Sequence, residues 1–217
     1  MDGRYNIGDV VLGSWKLTRL IGEGSSGIVF EAERENFGRT YKAAIKIVTI
    51  PQNNGEIEVA RNDGMGEQSI TTYFRGFVEE LVDEVSIMAE LKGESNVVSY
   101  EDHMVLPHDN QVGWDIIIRM ELLTQLTKYS REHTMTRREV IKLGIDICKA
   151  LELCQRHNII HRDIKPENIF VSDSGNYKLG DFGIARTVEK TTSGLSKKGT
   201  YTYMAPEVYK GLPYGSD

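Results

Sequence analysis

Cysteine is scarce: among 217 residues there are two, Cys148 and Cys154, both inside one apolar helical pattern. That count argues against a disulfide framework or a thiolate metal cluster and leaves two core thiols. Positive charge is not in surplus either. With 26 Lys and Arg against 32 Asp and Glu, the formal net charge is -6, which rules against a surface built mainly to hold nucleic-acid phosphates. No stretch approaches the roughly 18 uninterrupted apolar residues of a membrane span, and the polar start "MDGRYNIGD" lacks the apolar region of a secretory leader. The expectation is a cytoplasmic protein without a membrane span or a nucleic-acid partner. Repeats and low-complexity tracts are also missing. What is present is 40% hydrophobic and 27% charged residues, enough to bury a core as one large domain or two small lobes.

Trp15, Leu17, Arg19 and Ile21 alternate as a half-buried strand does, "GEGSSG" interrupts, and "IVFEAER" resumes with β-branched and aromatic residues, which predicts a hairpin. "YKAAIKIVTI" (41–50) is a third strand. The Gly-, Asn- and charge-rich segment that follows reads as loop or disorder. From about Tyr73 to Leu91, Phe77, Leu81, Glu84, Met88 and Leu91 recur at spacings of three and four, the period of a helix with a glutamate interrupting its apolar stripe. "NVVSYEDHMVL" and "WDIIIRMEL", either side of a polar turn, predict two antiparallel strands and bring the first half to five. The segment 136–157 opens with a capping box, Thr136 with Glu139, and carries a stripe through Val140, Ile147, Leu151 and Cys154. A hairpin, "NIFVSDSGNYKLG", follows.

Several residues in this framework have chemistry that a scaffold does not need. The triplet Gly22, Gly24, Gly27 lets backbone amides approach an anion without Cβ obstruction; by itself it fits a flexible turn as well. It does not open a helix, so the dinucleotide-binding reading fails and a glycine lid between two strands fits better. Lys46 sits inside the apolar strand "AAIKIV", where its ammonium must snorkel or find an anion, and Glu84 has the complementary problem on its helix. "IIHRDIKPENIF" then packs a His, an Arg, two acids, a Lys and an Asn into eight positions. There Asp163 can accept a hydroxyl proton, Lys165 can steady developing phosphate charge, and Asn168 can ligate a divalent cation. The hairpin that follows can fold back to bring Asp181, in "KLGDFGIAR", beside Asn168, and two such oxygens suit Mg2+.

Taken in order, "GEGSSGIV", "AAIK", "HRDIKPEN", "DFG" and "APE" resemble the signature set of eukaryotic-like (Hanks-type) serine/threonine protein kinases, over nearly the whole chain from about Trp15. The resemblance implies an α+β bilobal fold: a five-stranded antiparallel sheet plus one helix over 1–123, then a mainly helical lobe, incomplete here, over 124–217. It implies ATP and Mg2+ as cofactors and a Ser/Thr hydroxyl of a protein as acceptor. The residues that would meet the nucleotide are Ile21, Gly22, Gly24, Gly27, Val29, Ala44, Lys46, Met120, Glu121, Leu123 and Phe170. Lys46 would hold the α and β phosphates and pair with Glu84, Met120 resembles the gatekeeper, and Glu121 and Leu123 would offer backbone groups to adenine. Asp163 resembles the catalytic base, Lys165 its phosphate-steadying neighbour, and Asn168 and Asp181 the metal ligands. "DIKPEN" and Thr200 are similar to the serine/threonine class. Arg162 marks the kind of kinase whose activation loop is phosphorylated, with Thr191, Thr192, Ser193 and Ser196 as candidate sites.

Two departures stand out. Lys46 and Glu84 are about twice as far apart as is usual for the family, so 51–70 reads as an insertion, disordered or docking a partner, with disorder preferred; Glu80 is a possible substitute for Glu84. The chain stops at "GLPYGSD", where the family continues with further helices, and the arginine expected to pair with Glu207 is absent. The expectation is a truncated chain, its uncovered apolar surface open to self-association. Against an active kinase stands a nucleotide-binding or scaffolding fragment without turnover. A kinase of small molecules is disfavoured by "GTYTYMAPE".

Overall fold

The computed structural model describes residues 4–24, 27–157, 159, 161, 163–181, 203, 206 and 210. Its backbone divides into two units, one holding the described residues up to Glu90 with Tyr100–Leu122, the other Leu91–Ser99 with the described residues from 123 onward.

In the first unit the alternating and β-branched runs become strands: β1 (Val10–Val11), β2 (Trp15–Gly24), β3 (Gly27–Asn36), β4 (Arg39–Ile50), β5 (Tyr100–Pro107) and β6 (Trp114–Met120). They form one antiparallel sheet in the order β1-β2-β3-β4-β6-β5. One face carries Trp15, Leu17, Phe30, Ala32, Ala43, Ile45, Ile47 and Ile117, with Val11 packed onto it. By the two-residue period of a strand, Ala44, Lys46 and Val48 point to the other face. Residues 43–48 are buried without a break, which is why "AAIKIV" reads as a run rather than an alternation.

The sheet has six strands, not five. The sixth, β1, belongs to a segment that folds back over the sheet: Gly8 N–H donates to Leu17 O at 2.8 Å and Leu17 N–H to Asp9 O at 2.8 Å. Further along, the Tyr5 hydroxyl donates to Asp115 at 3.1 Å, and Thr49 donates to the same carboxylate at 2.7 Å. Burial and then the Asp115 charge push the Tyr5 phenol well above its usual range. A two-residue strand has no period to read, so only tertiary pairing reveals it.

The insertion is also a correction: it is helical, not disordered. Helix α1 (Asn54–Asn62) starts at Asn53, whose side chain accepts from Glu56 N–H at 3.3 Å. It stops in a Schellman motif: Met65 N–H donates to Ala60 O at 3.1 Å and Gly64 N–H to Arg61 O at 3.0 Å, with Gly64 at φ 87°. Ile57 and Ala60 are its buried face. Helix α2 (Glu67–Glu90) begins six residues before the predicted start at Tyr73 and lies against β4 and β5. Its buried line is Ile70, Phe74, Val78, Leu81, Val85 and Met88. Phe77 is half-buried and stands edge-on to Tyr73 at 5.0 Å.

The second unit contains β7 (Thr124–Gln125), α3 (Leu126–Glu132), α4 (Arg137–Arg156), a 3-10 turn over Pro166–Asn168, β8 (Ile169–Val171) and β9 (Tyr177–Leu179), with a three-stranded sheet ordered β7-β8-β9. The capping box that opens α4 is present in both directions, Thr136 N–H to Glu139 at 2.7 Å and Glu139 N–H to the Thr136 hydroxyl at 3.3 Å. The buried line of α4 differs from the apolar stripe: Val140 is exposed, and Asp146, Ala150, Leu153 and Cys154 are buried. Asp146 faces inward because it accepts Tyr177 N–H at 3.0 Å and pairs with Lys142, which also reaches Asn176 at 3.0 Å. Cys148 and Cys154 are both free thiols, but only Cys154 is a core thiol; Cys148 is exposed. Among the described residues, no helix is long and apolar enough to cross a membrane.

If α1 is a packed part of the first unit, Ile57→Ala should lower unfolding stability by about 2–4 kcal/mol. Urea denaturation checks this, and an unchanged midpoint would mean that the helix is not packed.

Candidate active site

The predicted nucleotide residues Ile21, Gly22, Gly24, Gly27, Val29, Ala44, Met120 and Glu121 lie in the first unit with Lys46 and Glu84; Leu123, Asp163, Lys165, Asn168, Phe170 and Asp181 lie in the second.

In the first unit the glycine segment is the closed end of the β2–β3 hairpin, with Gly22 opposite Val29 and Gly24 opposite Gly27. Gly27 has φ +112°, and a Cβ there would sit 2.3 Å from Ile47 O. Only glycine fits, so the hairpin end rests directly on the β4 backbone. On β4, Lys46 lies opposite Val29 on one side and Ile118 on the other, while Ala44 lies opposite Met120. Lys46 is 4% exposed, and an ammonium so deep needs a nearby anion. On α2, Glu84 is half-buried between buried Leu81 and Val85, whereas Glu80 is exposed. Burial therefore favours Glu84 over its substitute.

In the second unit the loop after α4 gathers its polar groups tightly. Lys165 Nζ is 2.7 Å from Asp163 Oδ2. Asn168 Nδ2 donates to Asp163 O at 2.8 Å and to Asp163 Oδ2 at 2.9 Å. Both partners only accept, so the amide orientation is forced and Asn168 Oδ1 is turned away from Asp163. Asn168 O accepts Gly180 N–H at 2.9 Å, which brings the residue before Asp181 onto the same loop. Asp181 has φ 63°, a left-handed conformation uncommon for a non-glycine residue and better tolerated by aspartate than by most.

His161 had no assigned role in the sequence reading, yet it organises this loop. Its Nε2 lies 2.9 Å from Gly180 O, and Asp163 N–H points to its Nδ1 at 3.4 Å. A carbonyl must receive and an N–H must give, so the ring is neutral with its proton on Nε2. Burial lowers its pKa, with the Gly180 hydrogen bond opposing. The readable hint was a histidine directly after the apolar pair "II". Gly180 is the second omission: a Cβ there would be 2.6 Å from Val98 Cγ2 and 3.1 Å from Phe170 Cε2. Val98 is brought in by tertiary pairing, through Val98 N–H to Leu179 O at 2.9 Å. Phe170 is half-buried on β8, opposite Lys178 and Gln125. The expectations placed on Arg162, Thr191, Thr192, Ser193, Ser196, Thr200 and Glu207 fall outside the described residues.

These features coincide with a family match: the Protein kinase domain family matches residues 15–217, and the chain belongs to it. It is 28% identical over 197 residues to serine/threonine-protein kinase shk2 of Schizosaccharomyces pombe, covering 90% of this chain and 30% of that protein. It is 34% identical over 147 residues to serine/threonine-protein kinase Nek2 of Mus musculus, covering 62% of this chain and 32% of the relative. A bacterial relative, probable serine/threonine-protein kinase PknB of Corynebacterium glutamicum, is 27% identical over 208 residues, covering 94% of this chain and 29% of the relative. The chain thus spans about a third of the length of these relatives. Use of ATP is typical of the family.

The His161 geometry sets a pH dependence. A base whose folded pKa is depressed contributes stability that is fully present above its unfolded pKa, about 6.5, and is lost as pH falls from there toward the folded value. Urea midpoints should therefore drop more between pH 7.5 and pH 5 in the parent chain than in His161→Gln. Equal drops would show that His161 does not carry the effect.

Proposed function

We propose that this chain is the catalytic region of a serine/threonine protein kinase, moving the γ-phosphoryl group of ATP to a Ser or Thr hydroxyl of a protein. One observation carries the reading: the Asp163 carboxylate is held by Lys165 at 2.7 Å and by the Asn168 amide at 2.9 Å. A carboxylate in this position can take the hydroxyl proton as the acceptor oxygen bonds to phosphorus and the bond to the ADP oxygen breaks. Lys165 shares that oxygen's charge and, on approach of a phosphoryl group, would offer its ammonium to the developing negative charge. Lys46, with Glu84 as its proposed partner, would hold the α and β phosphates. Ile21, Gly22, Gly24, Gly27, Val29, Ala44, Met120, Glu121, Leu123 and Phe170 would make the remaining nucleotide contacts.

The donor set suits magnesium. Asn168 Oδ1 is left to accept by the forced amide orientation, and Asp181 adds a carboxylate on the turn that Asn168 anchors. No group of three or more His, Cys, Asp or Glu able to hold a metal occurs among the described residues. A hard cation bound here would therefore draw on nucleotide phosphates, the usual arrangement for Mg2+, and would neutralise their charge. Regulation by phosphorylation of the segment around Thr191, Thr192, Ser193 and Ser196, read out by Arg162, belongs to the same proposal, as does a cytoplasmic setting.

Asp163→Asn should lower phosphotransfer by about 10²–10⁴-fold while leaving ATP binding near the parent value, measured with radiolabelled ATP and a generic Ser/Thr substrate. Retained turnover would remove Asp163 from the role of base. Nucleotide binding without turnover in the parent chain would favour the scaffolding alternative. Mass spectrometry of the ATP-treated chain should find phosphate between Thr187 and Thr202; its absence would refute the regulatory part.

A further inference from the structure

Strand β2 is irregular just where it approaches the glycine segment. Its register against β3 shifts twice, between Leu17 and Arg19 and again between Leu20 and Gly22, so Thr18 and Ile21 are extra residues with no partner across the strand. A strand with two bulges is weakly specified by alternation alone, because each bulge moves the following side chains relative to the pleat. Something else must select this register.

Both residues at the first bulge are tied to the same partner. The Thr18 hydroxyl donates to Glu31 O at 3.1 Å. Arg19 grips the Glu31 carboxylate with Nε at 3.0 Å and Nη2 at 2.6 Å, both on Oε2. The other oxygen, Oε1, takes Lys42 Nζ from β4 at 2.9 Å. Arg19 and Lys42 are more than half exposed, but the Glu31 side chain is only 9% exposed. Exposed ion pairs are normally worth little. Here the carboxylate is largely withdrawn from water and divided between two cations on flanking strands, so its position is specified by charge-assisted bonds from both sides. The Lys42 and then the Arg19 hydrogen bonds hold its carboxyl below the usual range against the opposing effect of burial.

We infer that Glu31 is a positioning residue for the glycine lid: by clamping Arg19 between the two bulges it sets the β2 register and so the presentation of Ile21, Gly22 and Gly24 to the nucleotide. Glu31 faces Arg19 directly across the pair, with Ala44 opposite it on β4. The lid begins two residues after the clamp. This rests on the proposed nucleotide role of the lid, but the register claim stands separately from it.

The test compares Glu31→Gln with Glu33→Gln in the full 217-residue chain. Glu33 shares Lys42 at 3.1 Å and is the matched control. Amide hydrogen exchange and the affinity for ATP with Mg2+ by titration calorimetry are the readouts. Glu31→Gln should speed exchange at Leu20–Gly24 selectively and weaken ATP binding by roughly fivefold, while Glu33→Gln changes neither. Arg19→Gln, altering the exposed partner, should reproduce the Glu31→Gln pattern and decides the matter if Glu31→Gln does not fold. Unchanged exchange at Leu20–Gly24, or a uniform rise over the whole sheet, would overturn the inference. If the parent chain takes up no nucleotide, the kinase proposal fails, and the exchange comparison still decides the role of Glu31.

Discussion

Asn168 is the residue through which the loop after α4 holds its shape. Its side-chain amide donates twice to Asp163 and its backbone carbonyl accepts from Gly180. The first pair of bonds orients the carboxylate, and the third joins the loop to the turn carrying Asp181. Asn168 is itself buried, so each of these bonds replaces one that water would have made, and losing any of them would leave a polar group stranded. A proposed proton acceptor and two proposed metal ligands thus share one short network, and none can move far without the others.

Among the described residues, several buried polar groups are matched by directional bonds from distant segments. His161 presents its N–H to a carbonyl and its lone pair to an amide. Asp146, inside α4, is answered by Lys142 and by Tyr177 N–H, which ties that helix to the β8–β9 hairpin. Asp115 receives hydroxyls from Tyr5 and Thr49, anchoring the segment that precedes β1. Trp15 has the guanidinium groups of Arg34 and Arg119 at 4.9 and 5.0 Å from its ring, an arrangement that lets charge sit near a buried aromatic. Directional bonds of this kind select one arrangement among several that apolar packing would tolerate.

Legibility followed the range of the interaction. The capping box of Thr136 with Glu139 and the hairpin leading to Asp181 depend on residues a few positions apart, and both are present. The strand from Trp15 is present too, but its alternation holds only through Leu17, because the bulges at Thr18 and Ile21 leave Arg19 and Ile21 exposed. Helix α1 was also written locally, in the Asn53 cap and the Gly64 stop, but its Gly, Asn and charge content hid those signals behind a loop-like composition. The stripe expected for α4 is kept at Cys154 but not at Val140, which is exposed, while Asp146 is drawn inward by a polar partner from a distant hairpin.

By itself the sequence determined the order of motifs, the residue types placed at the proposed site, and the extent of elements such as β4 and α4, since these rest on residue type and short-range hydrogen bonding. The tertiary structure alone decided the sixth strand, the tautomer of His161, the need for glycine at 27 and 180, and the two bulges pinned on Glu31. Each of those is set by an atom contributed from a remote segment. Pairings across such separations acquire their meaning only once the chain has closed on itself.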